Sequence, residues 1–212
     1  MKQFSVLLIL ASACGPALLA QKWEVGVGVG GAFYNSQTFT NPIGNADASL
    51  TSGIVASAWV DNNSKGRIGG ELRYDYEDTD LKLSSGGTSA TFGANTQALH
   101  YDLLYHFTSQ EAPIRPFVSA GAGVKFFRGT GMETESQPLM GIGLLTKTSQ
   151  MKPMLSVGGG VKFNLNHYLQ VRLEVHDYIT PFPTQVIAPA QGTKTGGWLM
   201  DFVPMGALAF MF

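Results

Sequence analysis

Cysteine is almost missing from this chain, and charge is scarce. The one cysteine, Cys14, lies in an N-terminal stretch that reads as a cleavable leader. The mature chain is therefore expected to hold no disulfide and no thiolate chemistry. Lys, Arg, Asp and Glu make up only 14% of residues, against about 25% in an ordinary soluble domain, so part of the surface should face something other than water. The formal net charge of −1 offers no basic field, and no nucleic-acid partner is expected. No segment beyond the leader approaches about 18 consecutive apolar residues, which excludes a transmembrane helix. C-x-x-C, H-E-x-x-H and G-x-S-x-G are also missing, so no metal, cofactor or catalytic residue is expected from a motif. What the chain does hold in excess is glycine, 26 residues, and aromatics at 11%. A secreted β domain and a membrane barrel remain.

The leader reads MKQFSVLLILASACGPALLAQ. Lys2 gives a positive start, Val6 to Ala13 an apolar stretch too short to span a bilayer, and Ala20 a small residue at the cut. Residues 1–20 are expected to be a signal peptide and 21–212 one mature domain, read below as a β-barrel. A lipoprotein leader ending at Cys14 is the alternative, with Ala11 where an aliphatic residue is usual.

Period-two alternation, the signature of a strand, recurs along the chain. Trp23, Val25, Val27 and Val29 oppose Glu24, Gly26, Gly28 and Gly30; Leu72, Tyr74 and Tyr76 oppose Glu71, Arg73 and Asp75; Val171, Leu173 and Val175 oppose Arg172, Glu174 and His176. Eight strands are expected near 23–33, 52–60, 66–77, 96–107, 115–128, 153–164, 168–178 and 197–212, the second with the weakest alternation. The segments between them alternate long and short, as the outer loops and periplasmic turns of an up-and-down transmembrane barrel do. The predicted fold is all-β: an eight-stranded antiparallel transmembrane β-barrel. With the N-terminus in the periplasm, Trp23, Trp59, Tyr105, Phe107, Tyr168, Phe210 and Phe212 are expected at the inner rim. Tyr34, Tyr74, Tyr76, Phe126, Trp198 and Phe202 are expected at the outer one. A soluble lipocalin-like barrel is the structural alternative, and it leaves these two girdles unexplained.

The chain ends FVPMGALAFMF, with Phe212 last and Phe210 two residues before it. This resembles the C-terminal signal by which outer-membrane barrels reach their assembly machinery. A glycine usually stands five residues before the final aromatic; here that place is Ala207, beside Gly206. GGELRYDY, RPFVSAGAGVKFF and LQVRLEVHDYITPFP likewise resemble small OmpA-like eight-stranded barrels of the bacterial outer membrane. The resemblance implies that location. It implies as partners the barrel-assembly machinery together with outer-membrane lipid and lipopolysaccharide. It says almost nothing of activity.

Other motifs are weighed against blander readings. GVGVGG at 26–31 fits G-x-G-x-x-G, but its glycines alternate within a strand and no helix follows, so no nucleotide site is expected. His100 and His106 share a face but stand about 20 Å apart at ~3.3 Å per residue, too far for one ion. His176 and Asp177 are the best candidates for a lipid-modifying site. The strongest constellation is the inward set Arg67, Glu71, Arg73, Asp75, His100, Asp102, Lys125, Lys162, Arg172, Glu174 and Asp201. An eight-stranded barrel is just wide enough for such side chains to fill, so a paired-charge plug is expected, with a narrow small-solute channel as the alternative.

Surface interaction is expected from loops 129–152 and 179–196, the first apolar at MGIGLL and the second rich in proline. Segment 79–95 reads as a polar, mobile loop. Finally, RPFVSAGAGVKFF at 115–127 recurs as KPMLSVGGGVKFN at 152–164. Its Ser, glycines and Lys are expected to face inward, with Gly121 opposite Gly160 and Gly123 opposite Gly158, as a thinned wall around the charged core. The function expected is structural or surface-interactive. The alternatives are a lipid-modifying enzyme and the channel.

Overall fold

The computed structural model describes residues 23–62, 66–131 and 137–212. The expected signal peptide and Cys14 lie outside the described residues. Eight long strands are β1 Trp23–Tyr34, β4 Gly53–Asn62, β5 Ile68–Ser85, β6 Thr88–His106, β7 Ile114–Gly129, β9 Ser149–Asn164, β10 Leu169–Pro181 and β12 Trp198–Met211. Four short ones lie between them: β2 Gln37–Asn41, β3 Gly44–Leu50, β8 Gly143–Leu145 and β11 Ile187–Pro189. Each long strand pairs antiparallel with the next, and β1 pairs with β12, so the sheet closes on itself without an edge. The weakly patterned β4 alternates cleanly once paired: Val55, Ser57, Trp59 and Asp61 are buried while Ile54, Ala56, Ala58 and Val60 are not.

The outer face is apolar. Val27, Leu103, Tyr101, Leu173, Leu208 and Phe210 are each more than half exposed. Water-soluble monomers rarely expose a contiguous apolar band of this kind, and one closed around the molecule fits a hydrocarbon surround. Tyr168, Phe210 and Phe212 stack at the lower rim, and Phe126, Trp198 and Phe202 stand exposed toward the upper end. Two expected girdle members turn inward instead. Trp59 is 2% exposed, because it shares the parity of Ser57 and Asp61. Tyr34 reaches into the barrel to hydrogen-bond Glu77.

Above the membrane the chain is more ordered than expected. β5 and β6 run 18 and 19 residues, well beyond the ~9–11 that cross a bilayer. They join at Gly86-Gly87, both with φ in the left-handed region, at 54° and 85°. Segment 79–95 is thus not a mobile loop but the top of this hairpin. Leu81, Leu83, Phe92 and Ala94 continue the inward alternation and are buried. Segment 34–51 likewise forms the β2–β3 hairpin, which pairs with β5. The third and fourth loops meet in the small β8–β11 sheet. Ile142, Leu145, Phe182, Val186 and Ile187 pack there with Phe39 and Phe127 in one apolar cluster.

The glycine register is a correction. β7 and β9 pair Gly121 with Ser156 and Gly123 with Met154, four residues from the expected alignment. Both glycine runs instead serve their other neighbours. On one side Gly121 and Gly123 sit opposite Asp102 and His100 of β6; on the other, Gly158 and Gly160 sit opposite His176 and Glu174 of β10. A Cβ at Gly121 would lie 2.1 Å from both Asp102 Oδ1 and the Tyr101 carbonyl oxygen; at Gly123, 2.5 Å from His100 Cβ; at Gly158, 2.6 Å from His176 Nδ1; at Gly160, 2.8 Å from Glu174 Cβ. Four inward ionisable groups of β6 and β10, His100, Asp102, Glu174 and His176, therefore each lean over a bare stretch of the adjoining strand.

Gly121→Val should accordingly prevent closure, whereas Gly196→Ala, where an added Cβ meets nothing within 4 Å, should fold like the parent. Gel mobility of unboiled against boiled samples reads this directly. A heat-modifiable Gly121→Val band of normal intensity contradicts the packing account.

Candidate functional site: the charged lumen

Ten of the eleven residues in the expected inward set lie in the lumen at 3% exposure or less: Glu71, Arg73, Asp75, His100, Asp102, Lys125, Lys162, Arg172, Glu174 and Asp201. Arg67 does not. It lies in the bend before β5 and is exposed, with its backbone oxygen taken by the His106 amide. Its parity is right for the lumen, but the strand has not yet begun there.

At the centre, β5 and β10 stand on opposite sides of the ring, four strands apart in either direction. Each carries an inward Glu and Arg two residues apart. Arg73 Nε meets Glu71 Oε1 at 2.7 Å and its Nη2 meets Glu174 Oε1 at 2.7 Å. Arg172 Nη1 meets Glu71 Oε2 at 2.7 Å and its Nη2 meets Glu174 Oε2 at 2.7 Å. The result is a square of alternating charge across the diameter, in which each carboxylate gives one oxygen to each guanidinium. Trp59 lies against it, with the Arg73 and Arg172 guanidinium carbons 4.7 and 4.6 Å from its ring centroid.

Toward the periplasmic end, Lys162 Nζ bridges Glu24 Oε2 at 2.9 Å and Asp61 Oδ2 at 2.7 Å, while Arg172 also reaches Glu24 Oε1 at 3.1 Å. Buried Arg115 and His106 lie at this end too. The other way from the square, His100 faces two carboxylates, Asp102 at 2.9 Å and Asp75 at 3.2 Å. Only the imidazolium can donate to both. Ser156 donates to Asp102 at 3.0 Å and Tyr178 to Asp75 at 2.7 Å. Higher still, Lys125 Nζ joins Glu77 at 2.9 Å and also Asp201, and Tyr34 and Thr96 both donate to Glu77. Lys125 lies toward the outer end and Lys162 toward the periplasmic one, as the repeat's antiparallel placement requires.

The expected inward set did not include Glu24, Asp61, Glu77, Arg115, His176, Tyr34 and Tyr178, which also reach the lumen. Parity could have found several. Glu24 is on the inward face but hidden among glycines, Arg115 shares the parity of Lys125, and Glu77 continues Asp75. Asp61 reads as the start of a turn. His176 and Asp177, considered as a pair, point opposite ways: His176 is buried in the lumen at 1% exposure and Asp177 looks outward. Among the described residues no group of three His, Cys, Asp or Glu is arranged to hold a metal ion.

The chain was compared with known proteins. A model of the outer membrane protein beta-barrel domain matches residues 5–198. The comparison with curated proteins gives no match. Among solved structures, the outer membrane protein OprG from Pseudomonas aeruginosa is similar over 91% of this chain and 96% of its own, with 13% identity and a TM-score of 0.63. Neisserial surface protein A is similar over 90% of this chain and 97% of its own, with 11% identity and a TM-score of 0.51. At these identities the likeness is one of fold.

The square makes a quantitative prediction. Arg73→Met leaves two buried carboxylates each short of one cation and should cost about 3–5 kcal/mol. Adding Glu174→Met to it should cost less than the sum of the two single changes, because the lone charge goes with its partner. Urea unfolding in lipid vesicles, followed by tryptophan fluorescence, measures both; strict additivity contradicts the coupled square.

Proposed function

The chain belongs to the outer membrane protein beta-barrel domain family, and on that premise we propose a sealed barrel with a structural or surface-interaction role exercised by the folded head above the membrane. The observation that carries this reading is the filled lumen. Paired charges occupy it from Glu24 to Asp201, and the apolar cluster of Phe39, Leu81, Phe92, Phe127 and Leu199 lies beyond them. A small-solute channel needs a continuous water path, and the square at the centre leaves its four side chains at 3% exposure or less. A lipid-modifying site needs groups converging where lipid can reach them. Ser156, Asp102 and His100 do converge, but inside the wall and out of contact with lipid.

The head is the part of the molecule left for recognition. Loops 129–152 and 179–196 are held together by β8–β11 and by Thr146 and Thr148 donating to the Gln185 carbonyl, and Gln137 braces the first of them from within by bonding both backbone groups of Leu145. Recognition elements on a rigid scaffold bind without a large ordering cost. Phe210 and Phe212 stand exposed at the lower rim, where an assembly machinery could read them during insertion.

Two measurements test the reading. In planar bilayers the folded protein should give no conductance steps, and sustained openings would sink the sealed-barrel reading. Cells displaying the parent should adhere to surfaces or to one another better than cells displaying a variant with 140–145 replaced by a Gly-Ser linker. Equal adherence at equal surface expression argues against the interaction role.

A further inference from the structure

Asp177 stands on the lipid side of the wall. On the outward face of β10 it follows Leu173 and Val175, and Ile179 and Pro181 come after it. Its cross-strand neighbours are Val157 of β9 and Phe202 of β12. Toward the outer end, Leu155, Pro153 and Met151 follow outward on β9, and Met200 and Trp198 on β12. The carboxylate is thus set inside the apolar band, four residues below Pro181, or about 13 Å along the strand at ~3.3 Å per residue. An acidic group at that depth is costly, and by default it marks a site with a partner. The neighbouring strands offer no cation. Lys162 and Arg172 turn into the lumen, Lys152 shares the inward parity of Met154 and Ser156, and β12 holds neither Lys nor Arg. The Asp201 backbone amide lies by the carboxylate, whose Oδ1 is enclosed with no hydrogen-bond partner among the described residues.

Directly below Asp177 the wall is hollowed. Gly159, Val175 and Pro204 form the next row across β9, β10 and β12, and Leu173 and Gly206 lie in the row after it. With Val29 of β1 they line an open hollow of about 540 Å³. A second, of about 410 Å³, continues toward the periplasm past Val27 and Leu208. Small residues let the backbone of another chain approach closely in a bilayer. The depth of the carboxylate selects the occupant. A lipid carries its charged groups at headgroup level, above Pro181 and Trp198, and its acyl chains bring no cation down to Asp177. A second copy of this chain brings none either. On the long strands the outward cations among the described residues are Lys82, past Asp78 and Asp80, and Arg128, past Phe126, both beyond the band. A different membrane-embedded protein with a Lys or Arg on its own wall meets the carboxylate at its depth, where a pair shielded from water is strong.

We propose that Asp177 and the hollow beneath it dock a second, different outer-membrane protein, whose Lys or Arg pairs with the Asp177 carboxylate within the bilayer. Gly159, Pro204 and Gly206 admit the partner's wall, and the ion pair fixes its height. The surface lies in the membrane, apart from lumen and head, and it stands whatever the head binds.

The test has two arms. In phosphatidylcholine vesicles the isolated Asp177→Leu variant should unfold at a higher urea concentration than the parent, because the carboxylate is without its cation until the partner arrives. A lower midpoint makes Asp177 a brace of its own barrel and overturns the proposal. In the native outer membrane, p-benzoylphenylalanine placed at Val157 or Phe202 should cross-link on illumination to one other protein, through a membrane-spanning peptide that contains Lys or Arg. The same probe at Leu72, on the far wall, should not. Asp177→Asn should cut the yield of that adduct about ten-fold or more, on the scale of a desolvated charge pair that has lost one member. Asp177→Lys should restore it when the partner's Lys or Arg is changed to Asp. Heat-modifiable mobility checks that each variant folds; should Asp177→Lys fail that check, Asp177→Glu must retain the adduct that Asp177→Asn loses. Adducts between two copies, adducts with lipid alone, no adduct at all, or equal yield from Asp177→Asn overturns the proposal.

Discussion

Four charges in a square set the terms for the rest of the barrel. Glu71 and Arg73 come from one side of the lumen, Arg172 and Glu174 from the other, and each carboxylate is shared between both guanidiniums. Neutralising these groups individually would leave the others stranded in a medium that solvates charge poorly, at several kcal/mol each. The four are therefore present together or not at all. Because the square spans the diameter, it also fixes how far apart β5 and β10 stand and where each sits along the axis. The ion pairs above and below extend the same principle: Lys162 gathers Glu24 and Asp61, and Lys125 gathers Glu77 and Asp201.

Long side chains in a narrow tube need room, and the wall provides it unevenly. β5 and β10 present arginine and glutamate inward, whereas β7 and β9 present serine and glycine along much of their length. The bare backbone of β7 accommodates the inward groups of β6, and that of β9 those of β10. The repeated Ser-x-Gly-x-Gly-x-Lys pattern is thus one architectural solution used twice, on either side of the β7–β9 seam. Each copy ends in a lysine that is a hub of ion pairs, and the antiparallel arrangement sends one lysine to each end of the lumen.

The strands were legible because period two survives in a barrel whose two faces differ so much in polarity. The inward set was legible for the same reason, and parity failed only where it was carried past a strand end, at Arg67. Trp59 and Tyr34 were misplaced because residue type was given more weight than parity. An aromatic near a strand end can anchor at the interface, but these two cover cations and carboxylates inside. The order above the membrane was hidden by composition. Ser84, Ser85, Gly86 and Gly87 look like a floppy tip, while Leu81, Leu83 and Phe92 around them keep the inward rhythm. Register was the least accessible quantity. A slip of four residues leaves every side chain of β7 and β9 on the face it already had, so no pattern within the two strands distinguishes the alignments. The choice is made by steric demands on β6 and β10, which only the folded ring brings alongside.

The lumen's charges are also divided along the chain. Glu24, Asp61, Glu71, Asp75, Glu77 and Asp102 lie in the first four long strands, with Arg73 as their sole Lys or Arg partner in the lumen among the described residues of that half. Arg115, Lys125, Lys162 and Arg172 lie in the last four, with Glu174 and Asp201. The early half of the polypeptide is an acidic trough and the late half a largely basic one. Neither can be lined up against a copy of itself without opposing like charges. Closure of the cylinder is thus a recognition event between two unlike halves of one molecule. The first half is left with carboxylates lacking cations until the second arrives, so the chain carries within itself a criterion for when its barrel is complete.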